Sequence, residues 1–325
     1  MRYVIGIDGG GTKTEVALAD LDGNVLVNQV YGATNPNTVT KQELKETFLH
    51  IFQDIEGKVP GSLLQVSSVF AGISGAGSKA SAALLEEIIS PYLSSYTRLK
   101  VEVDSINALY SGTFGKPGIV QICGTGSITY GINQKKEQDR VGGWGYLLGD
   151  EGSGYEIGRK GIAAVLQYVD GRGPETKLVD LLYQHFQVTS GRELIDQVYQ
   201  SESPRLVIAQ VSKLVYQAYE LKDQAAVEIL RQTSKEIAYS IVTLHKKLFN
   251  QDEKVKVTLC GGLFNNPTIL PVLIKEALAD HNNHLTLVLP EVPPVAGSVI
   301  GAYIELGNTV SSAVKENLRE YWKKE

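Results

Sequence analysis

The stretch that most constrains this sequence is Val4 to Glu15, which reads VIGIDGGGTKTE. An apolar run ends at Asp8, and three glycines separate that carboxylate from Thr12 and Lys13. A glycine loop exposes its backbone amide groups, and such amides can bind an anion. The stretch therefore predicts a buried strand that ends beside a phosphate-binding turn, with an acidic side chain at the end of the strand.

The residues after this turn predict a second strand rather than a helix. Thr14 to Leu21 reads TEVALADL, whose alternation is typical of a strand. Asp22-Gly23-Asn24 is a turn signal, and Val25 to Val30 can return as a further strand. The dinucleotide fingerprint and the P-loop both need a helix after the glycines, and Thr12 stands where the P-loop has its lysine.

Strand, glycine turn and strand form a hairpin that could grip phosphate beside an acidic residue. This arrangement resembles the first phosphate motif of the actin-like ATPase superfamily, which includes sugar kinases, chaperone ATPases and actin. A tight glycine hairpin that binds no ligand is the alternative interpretation of the same residues.

Composition excludes several other classes of protein. A chain of 325 residues suggests about two domains. A net charge of −5 and a pI near 5.7 argue against nucleic acid or an anionic membrane as the main partner. Asp8 interrupts any signal-peptide core, and no apolar run reaches the roughly 18 residues of a membrane helix. We therefore expect a cytoplasmic protein that binds neither nucleic acid nor membrane.

The two cysteines, Cys123 and Cys260, each end an apolar run just before a glycine. Neither their number nor their spacing supports a disulfide or a metal site. We expect both to be buried thiols at the ends of strands.

Strand and helix signals alternate over the next hundred residues. Thr40 can cap a helix that starts near Lys41, with Glu43 completing a capping box. The remaining signals are, in order, a strand at 66–71, the glycine-rich loop 72–77, a helix at 79–96, a strand at 100–103 ending before Asp104, and a helix at 105–114. This alternation, with polar residues after strands, predicts an α/β fold with its site at the strand ends.

The middle of the chain repeats its beginning. Gly118 to Cys123 predicts a strand, Gly124 to Ser127 a glycine loop, and Ile128 to Ile132 a returning strand. We interpret the echo as a duplicated fold with two phosphate hairpins facing each other across a cleft, although a glycine turn can also recur by chance. The predicted lobes are residues 1–116, joined by a helix at 308–325, and residues 117–307.

Two more glycine-rich segments are open to a functional or a structural interpretation. The loop from Gly142 to Tyr155, GGWGYLLGDEGSGY, could contact a ligand or could cap the second hairpin. A strand at 254–260 ends at Gly261-Gly262, where bare backbone could approach a base or ribose, or could form a tight turn. Helical patterns occupy most of 157–250, and a strand at 285–289 precedes helices at 296–306 and 310–323.

Taken in order, these motifs resemble the BadF/BadG/BcrA/BcrD ATPase family. The resemblance rests on DGGGTKT, ATN, GISGAG, Asp104 with SINAL, GTGS, GGWGYLLGDEGSGY and CGGLFNNP. It runs from Tyr3 to about Gly301 and is weakest between Leu166 and Gln251. It implies an α/β fold of two ribonuclease-H-like (actin-like ATPase) lobes, each with a hairpin-containing mixed sheet, and nucleotide and sugar in the cleft between them.

The resemblance also implies roles for individual residues. It makes Asp104 the catalytic base and Asp8 a contact to Mg²⁺ through water. The implied ATP-binding residues are Asp8, Gly10, Gly11, Thr12, Lys13, Gly126, Ser127, Gly261 and Gly262. The implied sugar-binding residues are Asn35, Ser74, Gly75, Asp104, Thr125, Gly143, Trp144 and Asp150. Pro36-Asn37 stands where related kinases can carry a bulkier residue, which leaves the exact sugar open.

The implied activity is ATP- and Mg²⁺-dependent phosphorylation of N-acetylglucosamine at its 6-hydroxyl by a homodimer. N-acetylmuramic acid and glucosamine are alternative substrates, because one substituent in a pocket is worth only about 1–3 kcal/mol. A less favoured reading is an ATPase that activates radical dehydratases, since such proteins hold an iron–sulfur cluster with cysteines. A sugar sensor without enzymatic activity is a third reading, against which the sequence offers an intact base and no added DNA-binding segment.

Overall fold

The computed structural model describes residues 2–279 and 284–323. In chain order, its strands are β1 (Tyr3–Gly9), β2 (Thr14–Asp20), β3 (Val25–Tyr31), β4 (Val66–Ile73), β5 (Arg98–Glu102), β6 (Gly118–Cys123), β7 (Ser127–Ile132), β8 (Gln138–Gly142), β9 (Val255–Cys260) and β10 (Leu285–Val288). Its α-helices are α1 (Lys41–Lys58), α2 (Lys79–Ile89), α3 (Asp104–Thr113), α4 (Gly154–Val169), α5 (Leu178–Phe186), α6 (Gly191–Tyr199), α7 (Pro204–Glu220), α8 (Gln224–Leu248), α9 (Leu270–Ala279), α10 (Pro294–Glu305) and α11 (Ser312–Trp322).

The chain divides into two compact units. Unit 1 consists of Met1–Gly118 and Leu289–Glu325, and unit 2 is Ile119–Val288. The predicted second lobe, 117–307, included α10, but this helix belongs to unit 1. Its packing gives the reason, since a Cβ atom on Gly6 of β1 would lie 2.4 Å from the backbone nitrogen of Val299. The other predicted boundaries of the two lobes remain predictions.

Each unit is built on a five-stranded mixed sheet, and the two sheets share one topology. The order in unit 1 is β3-β2-β1-β4-β5, and in unit 2 it is β8-β7-β6-β9-β10. In unit 1, β1 pairs antiparallel with β2 and parallel with β4. In unit 2, β7 pairs antiparallel with β8, and β6 pairs parallel with β9. The predicted duplication of a hairpin-containing sheet is confirmed.

The core of unit 1 forms where α1 covers the sheet. Thr40 caps this helix by accepting a hydrogen bond from Glu43 N–H, and the Glu43 carboxylate accepts one from Thr40 N–H, so the predicted capping box is present. Leu44, Phe48 and Phe52 belong to the buried stripe of α1. Such a stripe is what a helix needs to pack its apolar side on a sheet. The predicted amphipathic helix is therefore confirmed, together with its starting residue.

Unit 2 holds two further clusters of buried apolar residues. One joins β6 and β9 to α8 and α9 and includes Ile119, Val257 and Ile241. The other lies among the helices α4 to α8 and includes Ile157, Leu182 and Leu230. Helix α8, the longest in the described part of the chain, contributes residues to both clusters and so connects the sheet to the helices.

Two local predictions need correction. The helix predicted over 79–96 ends as α2 at Ile89 and continues only as a 3-10 turn, Ser90–Tyr92. Pro91 explains the early end, because proline has no N–H to donate and its ring clashes with the preceding turn. Asp104, expected to come between a strand and a helix, is the first residue of α3, after the N-cap Val103.

Candidate functional site

The glycine turn between β1 and β2 is fixed by backbone hydrogen bonds. Gly10 N–H donates to the Lys13 carbonyl at 2.9 Å, and Thr34 N–H donates to the Gly10 carbonyl at 3.1 Å. A side chain on Gly9 has no room, because its Cβ atom would lie 2.3 Å from Thr34 Oγ1. The turn is thereby tied to the loop that follows β3, while Gly11, Thr12 and Lys13 remain exposed.

The carboxyl group of Asp8 is in a buried environment that disfavours its charged form. Burial raises the pKa of its carboxyl to about 7, although a hydrogen bond from Asn107 lowers it. The charges of Asp104 and Glu15 raise the pKa further, and Lys13 lowers it. A carboxylate shifted in this way gains from a nearby cation. The end of β1 is therefore suited to a site that binds a positive ion.

Asp104 lies at the start of α3, where a helix stabilises negative charge. Burial raises the pKa of this carboxyl, and hydrogen bonds from the Ser105 backbone N–H and the Ser74 hydroxyl act in the opposite direction. Ser74 also donates its own backbone N–H to the Gly9 carbonyl at 2.8 Å. The end of β4 thus connects the first hairpin to the carboxylate of Asp104.

Asn35 and Gly75 lie next to this carboxylate network. Asn35 Nδ2 lies 3.5 Å from Ser74 Oγ. Gly75 has a φ of +85°, and a Cβ atom there would lie 2.3 Å from Asn35 Oδ1. Both its backbone conformation and the space around it therefore require glycine at position 75. In unit 1 the structure brings together the predicted residues Asp8, Asn35, Ser74, Gly75 and Asp104.

Asn107, which was not predicted from the sequence, belongs to the same group. It is fully buried, and its side-chain amino group donates to Asp8 Oδ1 at 2.7 Å. Asn107 is three residues after Asp104, a spacing that puts two side chains on one face of a helix. The three-residue spacing from Asp104 to Asn107 in the SINAL segment was the sequence signal that could have identified it.

Unit 2 brings together Gly126, Ser127 and Asp150. Ser127 N–H donates to Asp150 Oδ1 at 3.2 Å. A Cβ atom on Gly126 would lie 3.1 Å from Asp150 Oδ2. Burial raises the pKa of Asp150, and both the Ser127 hydrogen bond and the charge of Arg205 lower it. The glycine-rich loop after β8 thus returns to the turn of the second hairpin.

Other residues of the two loops are placed by backbone contacts. The Thr125 carbonyl accepts a hydrogen bond from Tyr155 N–H at 3.4 Å. Gly143 has a φ of +69°, and its Cβ atom would meet the Ile128 side chain at 2.9 Å. Trp144 is 68% exposed, and the Arg140 guanidinium lies 4.3 Å from its ring centroid. The structure therefore places Trp144 on the surface of this loop.

Arg205 is a second residue of the site that was not predicted from the sequence. One of its terminal nitrogens lies 3.7 Å from Asp150 Oδ2, and its guanidinium carbon lies 5.0 Å from the centroid of the Tyr146 ring. Its Nε is buried, and no hydrogen-bond partner for it occurs among the described residues. Arg205 stands in the helical region where the sequence motifs are weakest, so no sequence signal identified it.

The turn after β9 presses against the end of β6. Gly261 has a φ of +109°, whereas a Cβ atom on Gly262 would have nothing within 4 Å.

Burial raises the pKa of the Cys123 thiol to about 12, with hydrogen bonds from Gln121 and Ser127 opposing the change. Cys260 pairs with Ile122 across the sheet, so Cys123 and Cys260 point to opposite faces of it. This geometry does not suit two thiolates that share a cluster.

The residues at the end of β1 fit Mg²⁺. This ion keeps several of its waters and is usually held by one or two carboxylates together with substrate phosphates. Asp8 and Asp104 supply two neighbouring carboxylates whose pKa values are raised. Nowhere in the described part of the chain do three or more His, Cys, Asp or Glu side chains gather as a metal-binding group. A mainly hydrated ion is therefore the kind that this donor set suits.

A comparison with protein families matches residues 5–302 to a model described as the BadF/BadG/BcrA/BcrD ATPase family. The chain belongs to this family. The match covers both hairpins and Asp104, so the resemblance inferred from the motifs is confirmed. None of the helices in the described ranges combines the length and apolar character that crossing a bilayer requires.

Relatives with named activities match most of the chain. An N-acetylmuramic acid/N-acetylglucosamine kinase from Clostridium acetobutylicum is 36% identical over 82% of this chain and 87% of its own length. An N-acetyl-D-glucosamine kinase from Dictyostelium discoideum is 30% identical over 91% of this chain and 96% of its own length.

A solved structure with the same fold is a proposed N-acetylglucosamine kinase from Chromobacterium violaceum. Its TM-score is 0.71 at 25% identity, and the match covers 92% of this chain and 98% of the other. The α/β fold with two actin-like ATPase sheets, predicted from the sequence, is confirmed by this likeness and by the repeated strand order.

Proposed function

We propose that this chain phosphorylates N-acetylglucosamine at its 6-hydroxyl, using ATP and Mg²⁺. As a family member whose relatives at 36% and 30% identity are amino-sugar kinases, it is an ATP-dependent amino-sugar kinase. The observation that carries the finer proposal is the pair of carboxylates in unit 1. Asp8 and Asp104 interact electrostatically, and Ser74 joins the end of β4 to both the hairpin and Asp104.

In this proposal Asp104 is the general base. Its carboxylate would accept the proton of the sugar hydroxyl while the oxygen of that hydroxyl bonds to the γ-phosphorus and ADP leaves. A positioned base contributes about 10² to 10⁴ in rate. Burial raises the pKa of Asp104 and so strengthens it as a base, while Ser74 and Ser105 hold its carboxylate by hydrogen bonds.

Asp8 is the proposed contact to Mg²⁺, through water. When bound, the ion would supply charge neutralisation on the phosphates, on which phosphoryl transfer largely depends. The ATP-side assignments are Gly10, Gly11, Thr12 and Lys13 in the first hairpin turn, Gly126 and Ser127 in the second, and Gly261 and Gly262 after β9. The exposure of Gly11, Thr12 and Lys13 and the open space around Gly262 support them.

The proposed sugar contacts are those that the family resemblance implies. Besides Asp104, they are Asn35, Ser74, Gly75, Thr125, Gly143, Trp144 and Asp150. Sugar hydroxyls can hydrogen-bond to the polar groups of Asn35 and Ser74, which lie beside Asp104. They can also donate to the carboxylate of Asp150, whose charged form is disfavoured by burial. The side chain of Trp144 is exposed and could cover a sugar ring as it approaches.

N-acetylmuramic acid is the second candidate substrate, and the relative from Clostridium acetobutylicum supports it. Glucosamine remains a third. The dehydratase-activator reading has little support, because burial raises the pKa of Cys123 and the two cysteines lie on opposite faces of a sheet. Cytoplasmic location and a homodimer stay predictions.

The position of phosphorylation can be tested by identifying the product. Incubation with N-acetylglucosamine, ATP and Mg²⁺, followed by ³¹P and ¹H NMR, should give a phosphate ester coupled to the protons on C6. A phosphate on another carbon would refute the assignment of the 6-hydroxyl. Phosphate release without any sugar ester would refute the transferase reaction itself.

A further inference from the structure

We propose that Asn107 is a positioning residue for phosphoryl transfer, because its side-chain amino group holds the Asp8 carboxylate in place. The inference rests on the proposed role of Asp8 toward Mg²⁺ and extends that role to a residue that would contact neither sugar nor nucleotide. Three hydrogen-bond contacts within unit 1 carry it.

The amino group of Asn107 meets three oxygen atoms. Nδ2 lies 2.7 Å from Asp8 Oδ1, 3.0 Å from the Gly72 carbonyl oxygen and 3.3 Å from the Ile7 carbonyl oxygen. An amide amino group has only two hydrogens, so one of them is shared. Because all three neighbours accept, only a donor fits there. The bond to the carboxylate is also the shortest, as expected for a charge-assisted hydrogen bond.

The other half of the amide shows that packing alone does not explain an asparagine at this position. Asn107 Oδ1 is buried, and it finds no hydrogen-bond donor in the described ranges. An unsatisfied buried acceptor costs about 1–3 kcal/mol. A Cβ atom on Gly72 would lie 2.1 Å from this oxygen, so the neighbouring strand must carry glycine to admit the amide. The unsatisfied oxygen and the need for glycine at position 72 are both unfavourable, and the hydrogen bond from Asn107 to Asp8 is the interaction that compensates for them.

The placement of Asn107 connects the two proposed functional carboxylates. Asp104 begins α3, and Asn107 follows it by almost one turn of the same helix. Asp8 lies 99 residues away on β1. The hydrogen bond therefore fixes the metal-side carboxylate relative to the helix that carries the base. Phosphoryl transfer depends on such positioning, and misplacement of about 1 Å can cost 10²-fold in rate.

Asn107→Ala tests the proposal by removing the donor without adding bulk. We expect kcat to fall by about 10- to 100-fold, the worth of a hydrogen bond to a charged group. Affinity for Mn²⁺ in the presence of ADP, followed by electron paramagnetic resonance, should fall by about tenfold for the same reason. Affinity for the sugar should change by less than about threefold, since Asn107 is not assigned to sugar binding. Unchanged Mn²⁺ affinity would overturn the proposal.

Ser111→Ala is the matched control on the same helix. Ser111 is also fully buried, but its hydroxyl donates only to the Ala108 carbonyl. The control should leave Mn²⁺ affinity unchanged, and a loss equal to that of Asn107→Ala would overturn the proposal. Asn107→Leu keeps a side chain of similar size and removes the donor without adding a charge beside Asp8, so it covers the case in which Asn107→Ala fails to fold. Normal Mn²⁺ affinity in Asn107→Leu would also count against the role.

A double-mutant cycle with Asp8→Ala separates positioning from a general structural effect. If Asn107 acts through Asp8, Asn107→Ala should weaken Mn²⁺ binding by less than about threefold further in the Asp8→Ala background. Equal losses in both backgrounds would overturn the proposal. Mn²⁺ binding with ADP needs no sugar, so this result stands apart from failure of the kinase assignment, which a lack of sugar phosphorylation by the wild-type protein would reveal.

Discussion

Gly261 lies so close to Cys123 that a Cβ atom at position 261 would be 2.4 Å from the Cys123 carbonyl oxygen. The φ of +109° at this glycine is also one that residues with side chains rarely adopt. The turn after β9 is therefore pressed onto the end of β6, beside the second hairpin. Its neighbour Gly262 has open space around the position of a side chain.

Gly261→Ala should destabilise the protein, while Gly262→Ala should not. The clash and the unfavourable φ at position 261 predict a loss of about 2 kcal/mol or more in the free energy of unfolding. The change at position 262 should stay within about 0.5 kcal/mol. Thermal unfolding of both variants without ligand measures the difference. Equal melting temperatures for the two variants would contradict the packing described for this turn.

Asp8→Asn should increase the stability of the ligand-free protein at alkaline pH, although turnover should fall. Burial raises the pKa of Asp8 from 3.8 to about 7, so between these values the folded state binds more protons than the unfolded state. The stability of the wild-type protein therefore decreases as pH rises through that window. Relative to wild type, the variant should gain about 4 kcal/mol between pH 4 and pH 8, because a difference of one pKa unit between the folded and unfolded states is worth about 1.4 kcal/mol.

Urea unfolding of both proteins at several pH values measures this gain. Above pH 8 the difference between the two proteins should become constant, because Asp8 is then ionised in both the folded and the unfolded state. A difference in unfolding free energy that does not change from pH 4 to pH 8 would show that the carboxyl of Asp8 is not perturbed.

Arg205→Ala should weaken sugar binding. Arg205 offsets the charge of the buried Asp150, which we assign to the sugar. Removing one partner of such a pair leaves the other uncompensated, and we expect the sugar KM to rise about tenfold. Arg205→Lys should recover part of the loss, because it keeps the charge but not the planar fork.

Arg172→Ala is the control for this prediction. Arg172 pairs with Asp170, but both side chains are more than half exposed, and exposed pairs contribute little. Steady-state kinetics on the three variants make the comparison. The same sugar KM in Arg205→Ala and in the wild-type protein would remove Arg205 from the site.

Sequence predicted the parts of this fold that depend on neighbouring residues. The hairpin from Tyr3 to Asp20 and the capping box at Thr40 follow from local alternation and turn chemistry, and the structure contains both. The helix predicted over 79–96 was too long, and Pro91 was the sequence signal for its earlier end. Membership of α10 in unit 1 depends on the close approach of Gly6 to Val299, and no local pattern shows such packing.

The candidate site divides in the same way. Asp8, Ser74 and Asp104 come next to glycine turns or strand ends, so position along the chain made them visible. Asn107 contacts Asp8 across 99 residues, and its role depends on the orientation of two strands and a helix. Arg205 reaches Asp150 from α7, in a region without recognisable motifs. Contacts between residues so far apart in the sequence can be identified only in the three-dimensional structure.

Asp104→Asn should separate binding from chemistry. The amide keeps the size of the side chain but cannot accept the proton of the sugar hydroxyl, so turnover should fall by at least about 100-fold. Sugar affinity should remain near that of wild type, because hydrogen bonding to the sugar is largely kept. Single-turnover kinetics and calorimetric titration measure the two effects. Turnover like that of wild type would refute the role of Asp104 as base.

The most direct test of the central claim is sugar-dependent release of ADP by the wild-type protein. A coupled assay with ATP and Mg²⁺ would compare N-acetylglucosamine, N-acetylmuramic acid and glucosamine with a reaction that contains no sugar. We predict release that depends on sugar, with N-acetylglucosamine giving the highest kcat/KM and Asp104→Asn abolishing most of it. ADP release at the same rate with and without every sugar would contradict the account.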